Sequence, residues 1–177
     1  MIQYTAAEIS GLYKKFKQGD DRAFEELYNR LSSGLYNYCV RLLGDWHYAE
    51  DVLVETFAKL ANSKLDERGN LKAWLYRVAT NACYTFFRKK KTESKLFEQQ
   101  LSSVLSNPGP DFVKELRMQK LLSELPEYQR IVVILKFYEQ MTYQDISDVL
   151  CCPLGTVKSR MHQGLKKLRS MVKEQES

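Results

Sequence analysis

Apolar residues recur at the i, i+3, i+4, i+7 spacing of one buried helix face along most of the chain. Ile9, Leu12, Tyr13 and Phe16 set the first run, and Gly19 ends it. Asp20 or Asp21 can cap the next helix, whose stripe is Phe24, Leu27, Tyr28 and Leu31. Leu35, Tyr38, Cys39, Leu42 and Leu43 carry the period to Gly44. Asp45 then precedes Ala49, Val52, Leu53, Thr56, Phe57 and Leu60. The longest stripe is Leu71, Trp74, Leu75, Val78, Ala79, Ala82, Cys83 and Phe86. No alternating run of useful length argues for a strand. Residues 1–91 are expected to form one helical domain.

From Lys91 to Pro110 the pattern fails. Ser, Asn and Gln accumulate ahead of Pro108-Gly109-Pro110, the composition of a flexible tether, with room for a short helix from Leu96 to Leu105. Periodicity returns with Met118, Leu121, Leu122 and Leu125, then stops at Pro126. Tyr128, Ile131, Val132 and Leu135 define a second helix. Thr142 and Asp145 make a capping-box pair on a third, which buries Tyr143, Ile146, Val149 and Leu150. After Pro153 a last helix turns Leu154, Val157, Met161, Leu165 and Leu168 inward. The expected fold class is all-α: two small helical domains, 1–91 and 113–177, joined by a flexible linker over 92–112.

The formal net charge is +5, and its distribution says more than its size. Residues 1–91 carry 15 basic and 11 acidic side chains, 92–115 carry 2 and 4, and 116–177 carry 10 and 7. Two basic blocks thus flank a mildly acidic stretch, and no acid occurs between Val149 and Val172. Such a stretch attracts polyanions. No apolar run approaches the roughly 18 residues of a membrane span. The amino terminus lacks the basic start and apolar block of a secretory signal, so a soluble, cytoplasmic protein is expected. The four cysteines form no C-x-x-C pair, and His47 and His162 stand far apart. The cysteines read as small apolar residues, and neither a metal nor a cofactor is expected.

The last two helices have the spacing of a helix-turn-helix, with a break at Cys151-Cys152-Pro153. Off the apolar stripe stand Thr156, Lys158, Ser159, Arg160, His162, Gln163, Lys166 and Lys167. Lys and Arg suit phosphates and guanine edges, Gln suits adenine and Ser suits either. Spacing alone leaves open a helical hairpin with a solvated basic face. The residues go further: Leu125-Pro126 with Arg130, Thr142-Tyr143-Gln144-Asp145-Ile146, and Pro153-Leu154-Gly155-Thr156-Val157-Lys158-Ser159-Arg160 resemble the promoter-binding domain of extracytoplasmic-function (ECF) sigma factors. The resemblance implies that the last helix reads a −35 promoter element, with Lys158, Ser159, Arg160, His162 and Gln163 facing DNA. The chain departs from the family at Cys151, where Gly is frequent, and at Gln163, where Arg is frequent.

In the first block, Asp51 and Glu55 stand one turn apart on an amphipathic helix, the solvated face of many core helices. Ala49 to Leu60 is also similar to the sigma-factor helix that docks on the clamp of RNA polymerase. By that likeness Asp51, Glu55 and Lys59 supply polar contacts to core polymerase and Val54 an exposed apolar anchor, while Phe57 stays in the core. The following helix sets Lys72, Tyr76, Arg77, Thr80, Asn81, Tyr84 and Arg88 opposite its apolar stripe and ends in Lys89-Lys90-Lys91. Rings interleaved with cations suit single-stranded nucleic acid, on which bases stack and cations follow phosphates. Packing with snorkelling tips is the other reading, most of all for Tyr76 and Arg77. Trp74-Leu75-Tyr76-Arg77-Val78-Ala79-x-Asn81 resembles the family's −10 recognition helix. The preceding loop, Lys64 to Asn70, then belongs to the pocket for a flipped base, which adds Arg68 and Asn70 to Lys72, Asn81, Tyr84, Arg88 and Lys89.

The resemblance implies a transcription initiation factor that binds core RNA polymerase and promoter DNA and helps open the duplex. It also brings in an anti-sigma factor as a further partner, and a linker running toward the polymerase active-site channel. A self-sufficient regulator, binding duplex DNA through its helix-turn-helix and dimerising through the first domain, is the alternative. An enzyme finds no support: no carboxylate cluster, His pair or nucleophile–base pair stands at catalytic spacing.

Overall fold

The structure is a computed structural model and describes residues 5–65, 70–92 and 110–175. Among these, every regular element is helical: α1 (Ala6–Lys17), α2 (Asp21–Leu43), α3 (Trp46–Asn62), α4 (Leu71–Thr92), α5 (Pro110–Ser123), α6 (Glu127–Phe137), α7 (Tyr143–Leu150) and α8 (Leu154–Gln175). The short helix expected from Leu96 to Leu105 lies outside the described residues, as does Arg68.

Local chemistry sets the helix ends. Thr5 and Glu8 close a capping box on α1. Asp20, rather than Asp21, caps α2 by accepting from the amides of Arg22 and Ala23, and Gly44 ends it in the left-handed region at φ 67°. Asp45 accepts from the amide of Tyr48 to start α3. Thr142 and Asp145 form the capping box read from the sequence at α7. Each such cap contributes about 1 kcal/mol by satisfying amides that the helix leaves unpaired. Cys151 ends α7 at φ 48°, ψ 45°, the conformation that glycine adopts without cost.

The predicted stripes form the core. Leu27, Leu35, Tyr38, Cys39, Leu42, Ala49, Leu60, Leu75, Ala79 and Cys83 are buried in the first half, and Leu121, Leu122, Ile131, Val132, Leu135, Ile146, Val157 and Met161 in the second. Phe57 is buried as expected. α2 packs on α1, α3 and α4, and α6 packs on α8. Gly164 lets α8 approach α6 closely, since a Cβ there would lie 3.2 Å from Val133 Cγ2 and 3.4 Å from Gln129 Cβ.

Six expected placements need correction. Tyr76 and Thr80, assigned to the outer face of α4, are 4% and 1% exposed. The hydroxyl of Tyr38 meets Thr80 Oγ1 at 2.7 Å, and Thr80 donates back to the Tyr76 carbonyl at 2.6 Å, so both sit inside the bundle. Conversely, Tyr28, Tyr128, Leu154 and Met118 were expected inside and are exposed. Tyr128 and Leu154 occupy the first turns of α6 and α8.

The two halves also pack on each other: α7 lies against α4, and α6 against α2. Arg130 donates to the carbonyls of Ser123 (2.6 Å) and Leu125 (3.1 Å) at the end of α5, and to Leu42 at the end of α2 (3.0 Å). One half-buried guanidinium thereby serves helix carboxyl termini in both halves, where cations are favoured. Gln119 donates to the Arg41 carbonyl at 2.7 Å, and the Arg41 side chain lies over the Tyr138 ring and 3.3 Å from Glu115.

Candidate nucleic-acid interface

The exposed side of α8 carries every residue assigned to duplex reading. Lys158, Ser159, His162, Gln163 and Lys166 are exposed, and Thr156 and Arg160 are half-buried. All but Lys158 fall into two rows. Thr156, Ser159, Arg160 and Gln163 line a shallow groove with Tyr128 and Gly155. His162 and Lys166 line another with Arg169, Ser170 and Lys173. Lys167 is turned away and donates to the Glu124 carbonyl at 2.8 Å, tying α8 to the α5–α6 corner.

Two members of the first row are held from behind. Gln129, buried on α6, donates from Nε2 to Gln163 Oε1 at 3.3 Å. The Arg160 guanidinium lies 5.7 Å from the centre of the Tyr128 ring and donates to Cys152 Sγ at 3.9 Å. The sequence reading missed both supports. Gln129 falls one position off the apolar stripe, and only the close approach at Gly164 buries it.

On α4 the structure separates the −10 set. Asn81 and Tyr84 line one cleft together with Arg77, which stood outside that set, and Arg88, exposed, follows Tyr84 one turn on. Lys72 does not join them: it is half-buried, with Nζ 5.7 Å from the centre of the Tyr76 ring. Asn70 accepts from the Ala73 amide at 3.0 Å and so starts α4, while its Nδ2 faces Asp145 Oδ1 at 3.4 Å. Lys89 lies on α4, with its side chain outside the described positions. Burial raises the Tyr84 phenol above its ordinary range, with the Arg160 charge pulling it down and Glu127 and Cys152 pushing it up.

The set assigned to polymerase lies on α3. Asp51, Val54, Glu55 and Lys59 are all exposed, the apolar Val54 at 63%. Glu55 accepts from Lys59 at 2.6 Å. Asp51, Glu55 and Lys59 form one wall of a groove whose other wall is Asn81, Thr85 and Phe86 of α4. The α3 and α4 sets therefore meet at Asn81, which borders both the groove and the cleft. Cys39 and Cys83 are buried, Cys151 is exposed and Cys152 half-buried. No helix among the described residues is long and apolar enough to cross a membrane.

This arrangement has known counterparts. Residues 27–93 match sigma-70 region 2, and residues 115–168 match sigma-70 region 4. The chain is 32% identical to the ECF RNA polymerase sigma factor SigW of Bacillus subtilis (strain 168), over 91% of this chain and 95% of that one. It is 29% identical to SigE, an ECF sigma factor of Mycolicibacterium smegmatis, over 90% of this chain and 66% of that one. Among solved structures, the sigma factor RpoE in complex with the anti-sigma factor NepR from Bartonella quintana superimposes with a TM-score of 0.68 at 25% identity, over 85% of this chain and 96% of that one. CnrH in complex with the cytosolic domain of CnrY shares the fold, with a TM-score of 0.72 at 20% identity over 96% and 99% of the two chains. Both sigma-70 regions stand in order on one chain, with a relative similar over nearly its whole length: the protein belongs to the ECF RNA polymerase sigma factors.

Proposed function

We propose that the chain recruits core RNA polymerase through α3, recognises a −35 element through α8 and captures single-stranded −10 DNA with the outer stripe of α4 and the loop before it. The chain performs no covalent chemistry and acts in the cytoplasm. Opening of the duplex is driven by binding, at about 1–3 kcal/mol for each base stacked on a ring. The units are residues 1–91, which take the polymerase and the −10 strand, and 113–177, which take the −35 duplex. Residues 92–112 join them and run toward the active-site channel. An anti-sigma factor is the further partner.

The observation that carries this reading is the division of labour between α8 and α4. α8 presents cations and hydrogen-bonding groups on one long side suited to a major groove. α4 presents a short stripe of Arg77, Asn81 and Tyr84 suited to an unstacked base and its phosphate. The test is a double assay on Lys158→Ala and Arg160→Ala. Promoter-dependent transcription is expected to fall while core polymerase is still bound. Loss of polymerase association would sink the role assigned to α8.

A further inference from the structure

The face of α4 assigned to the −10 strand already has an occupant, the chain's own second half. Arg77 Nη2 donates to the carbonyl of Asp148 at 2.7 Å, in the last turn of α7. A helix carboxyl terminus carries partial negative charge on carbonyls that lack intrahelical partners. It thus offers Arg77 what a DNA phosphate would offer. Beside this contact, Arg77, Asn81 and Tyr84 share one cleft with Leu150, Cys151, Cys152 and Arg160. Arg160 belongs to the −35 set and Tyr84 to the −10 set. A promoter places those elements about 25 base pairs apart, which at about 3.4 Å per step is roughly 85 Å. Side chains that line one cleft cannot be at both elements together.

The closed arrangement is held at a second place that neither DNA set uses. The hydroxyl of Tyr76, on α4, donates to the carboxylate of Glu139, in the turn between α6 and α7. Tyr76 is buried there, against Gly34 of α2, and Lys72 and Arg41 bear electrostatically on the same carboxylate. With Glu139 between them, the two cations and the hydroxyl have a common partner that only the second half supplies.

We propose that the promoter-reading stripe of α4 is an intramolecular docking surface for α7 and the turn that follows it, latched by Tyr76 and Glu139. In the free chain each DNA-reading set then masks the other, and the latch must open before both elements are read. This rests on the DNA-reading roles proposed above. It assigns the α4 surface two competing occupants, the carbonyl end of α7 and the promoter strand.

Glu139→Lys sets a third cation against Lys72 and Arg41 and opens the latch, whereas Glu139→Gln still accepts from Tyr76 and keeps it closed. The full chain is used throughout. A promoter is first selected from a random DNA library with the polymerase-bound wild type. A fork-junction probe is then made from it, with the −35 element duplex and the −10 non-template segment single-stranded. Binding of this probe to the polymerase-free chain is read by fluorescence anisotropy, and the radius of gyration by small-angle X-ray scattering. Glu139→Lys is expected to expand the chain and tighten probe binding by about tenfold, the gain available when a rarely open state becomes the common one. Glu139→Gln is expected to be at least as compact as wild type and to bind the probe no more tightly, and transcription with saturating core polymerase to be equal in all three. Expansion without tighter binding would overturn the mask, and an unexpanded Glu139→Lys chain would overturn the latch. Failure of the library to yield any promoter would instead remove the DNA-reading roles, and the proposal with them.

Discussion

Gln129 Nε2 donates to Gln163 Oε1 at 3.3 Å, so a buried amide on α6 sets the orientation of an exposed amide on α8. The other oxygen, Gln129 Oε1, is buried with no partner. A buried acceptor left unpaired costs about 1–3 kcal/mol, so this residue is not optimised for stability. Gln129→Leu conserves bulk and removes that acceptor. Thermal melting is expected to shift little or upward, while the chain loses discrimination at the base assigned to Gln163. A well-placed amide is worth about 1–3 kcal/mol against the wrong base, so the loss is on the order of tenfold. Melting curves with a −35 library check both. Lower stability with unchanged base preference would leave Gln129 as packing alone.

Glu55→Arg separates polymerase binding from folding. The pair with Lys59 has both side chains 53% exposed, and such pairs contribute about 0.3–0.5 kcal/mol. The fold is therefore indifferent to the change. A reversed charge at an interface is not: affinity for core polymerase is expected to fall by about tenfold or more. Binding to promoter DNA by the isolated chain stays as it was. Co-sedimentation with core polymerase gives the answer, and an unaltered affinity takes α3 out of the interface.

Cys151 sits at φ 48°, ψ 45°, which costs a residue with a Cβ roughly 1–2 kcal/mol. Its thiol returns little, a weak contact to the Asp148 carbonyl at 3.7 Å. Cys151→Gly is expected to raise the melting temperature by about 2–4 °C. Scanning calorimetry decides the point, and a fall would mean that the thiol contributes more than its geometry indicates.

The contact between the halves responds to pH through Glu139. Burial holds its carboxyl above the ordinary value of 4.5, with the Tyr76 hydroxyl, Lys72 and Arg41 pulling it down. A raised carboxyl takes up its proton more readily in the docked chain than in the open one. Docking is therefore fully supported below that ordinary value and weakens as pH rises through the raised one. Acidification from neutral pH is expected to shrink the radius of gyration of the free chain, and Glu139→Gln to flatten that response. An equal response in Glu139→Gln would assign it to other carboxylates.

Much of the fold was legible because its determinants are local. Thr142 with Asp145, Gly44 and Asp45 act within one helical turn, and the apolar stripes need only the period of the helix. The misplaced residues depend on what a distant segment brings. Tyr76 is buried in part by Glu139, which lies 63 positions on, and no spacing within α4 can reveal it. Lys72 follows Tyr76 toward that carboxylate instead of joining Arg77 and Asn81. The candidate residues on α8 were legible as a set, because a basic arc opposite an apolar one is a periodic property. Their supports were not, since Gln129 and Tyr128 meet α8 only through the packing of α6.

The carbonyls of Arg41 and Leu42 wait for Gln119 and Arg130, residues made much later in the same chain. A ribosome adds about 5–20 residues per second, so on the order of 5–15 s separates completion of α4 from that of α8. For about the first two thirds of that interval Asp148 is not yet built, and Arg77, Asn81 and Tyr84 stand uncovered. The nascent chain thus exposes the surface proposed for the −10 strand before it owns the segment that covers it, and each molecule passes once through an uncovered state on its way from the ribosome.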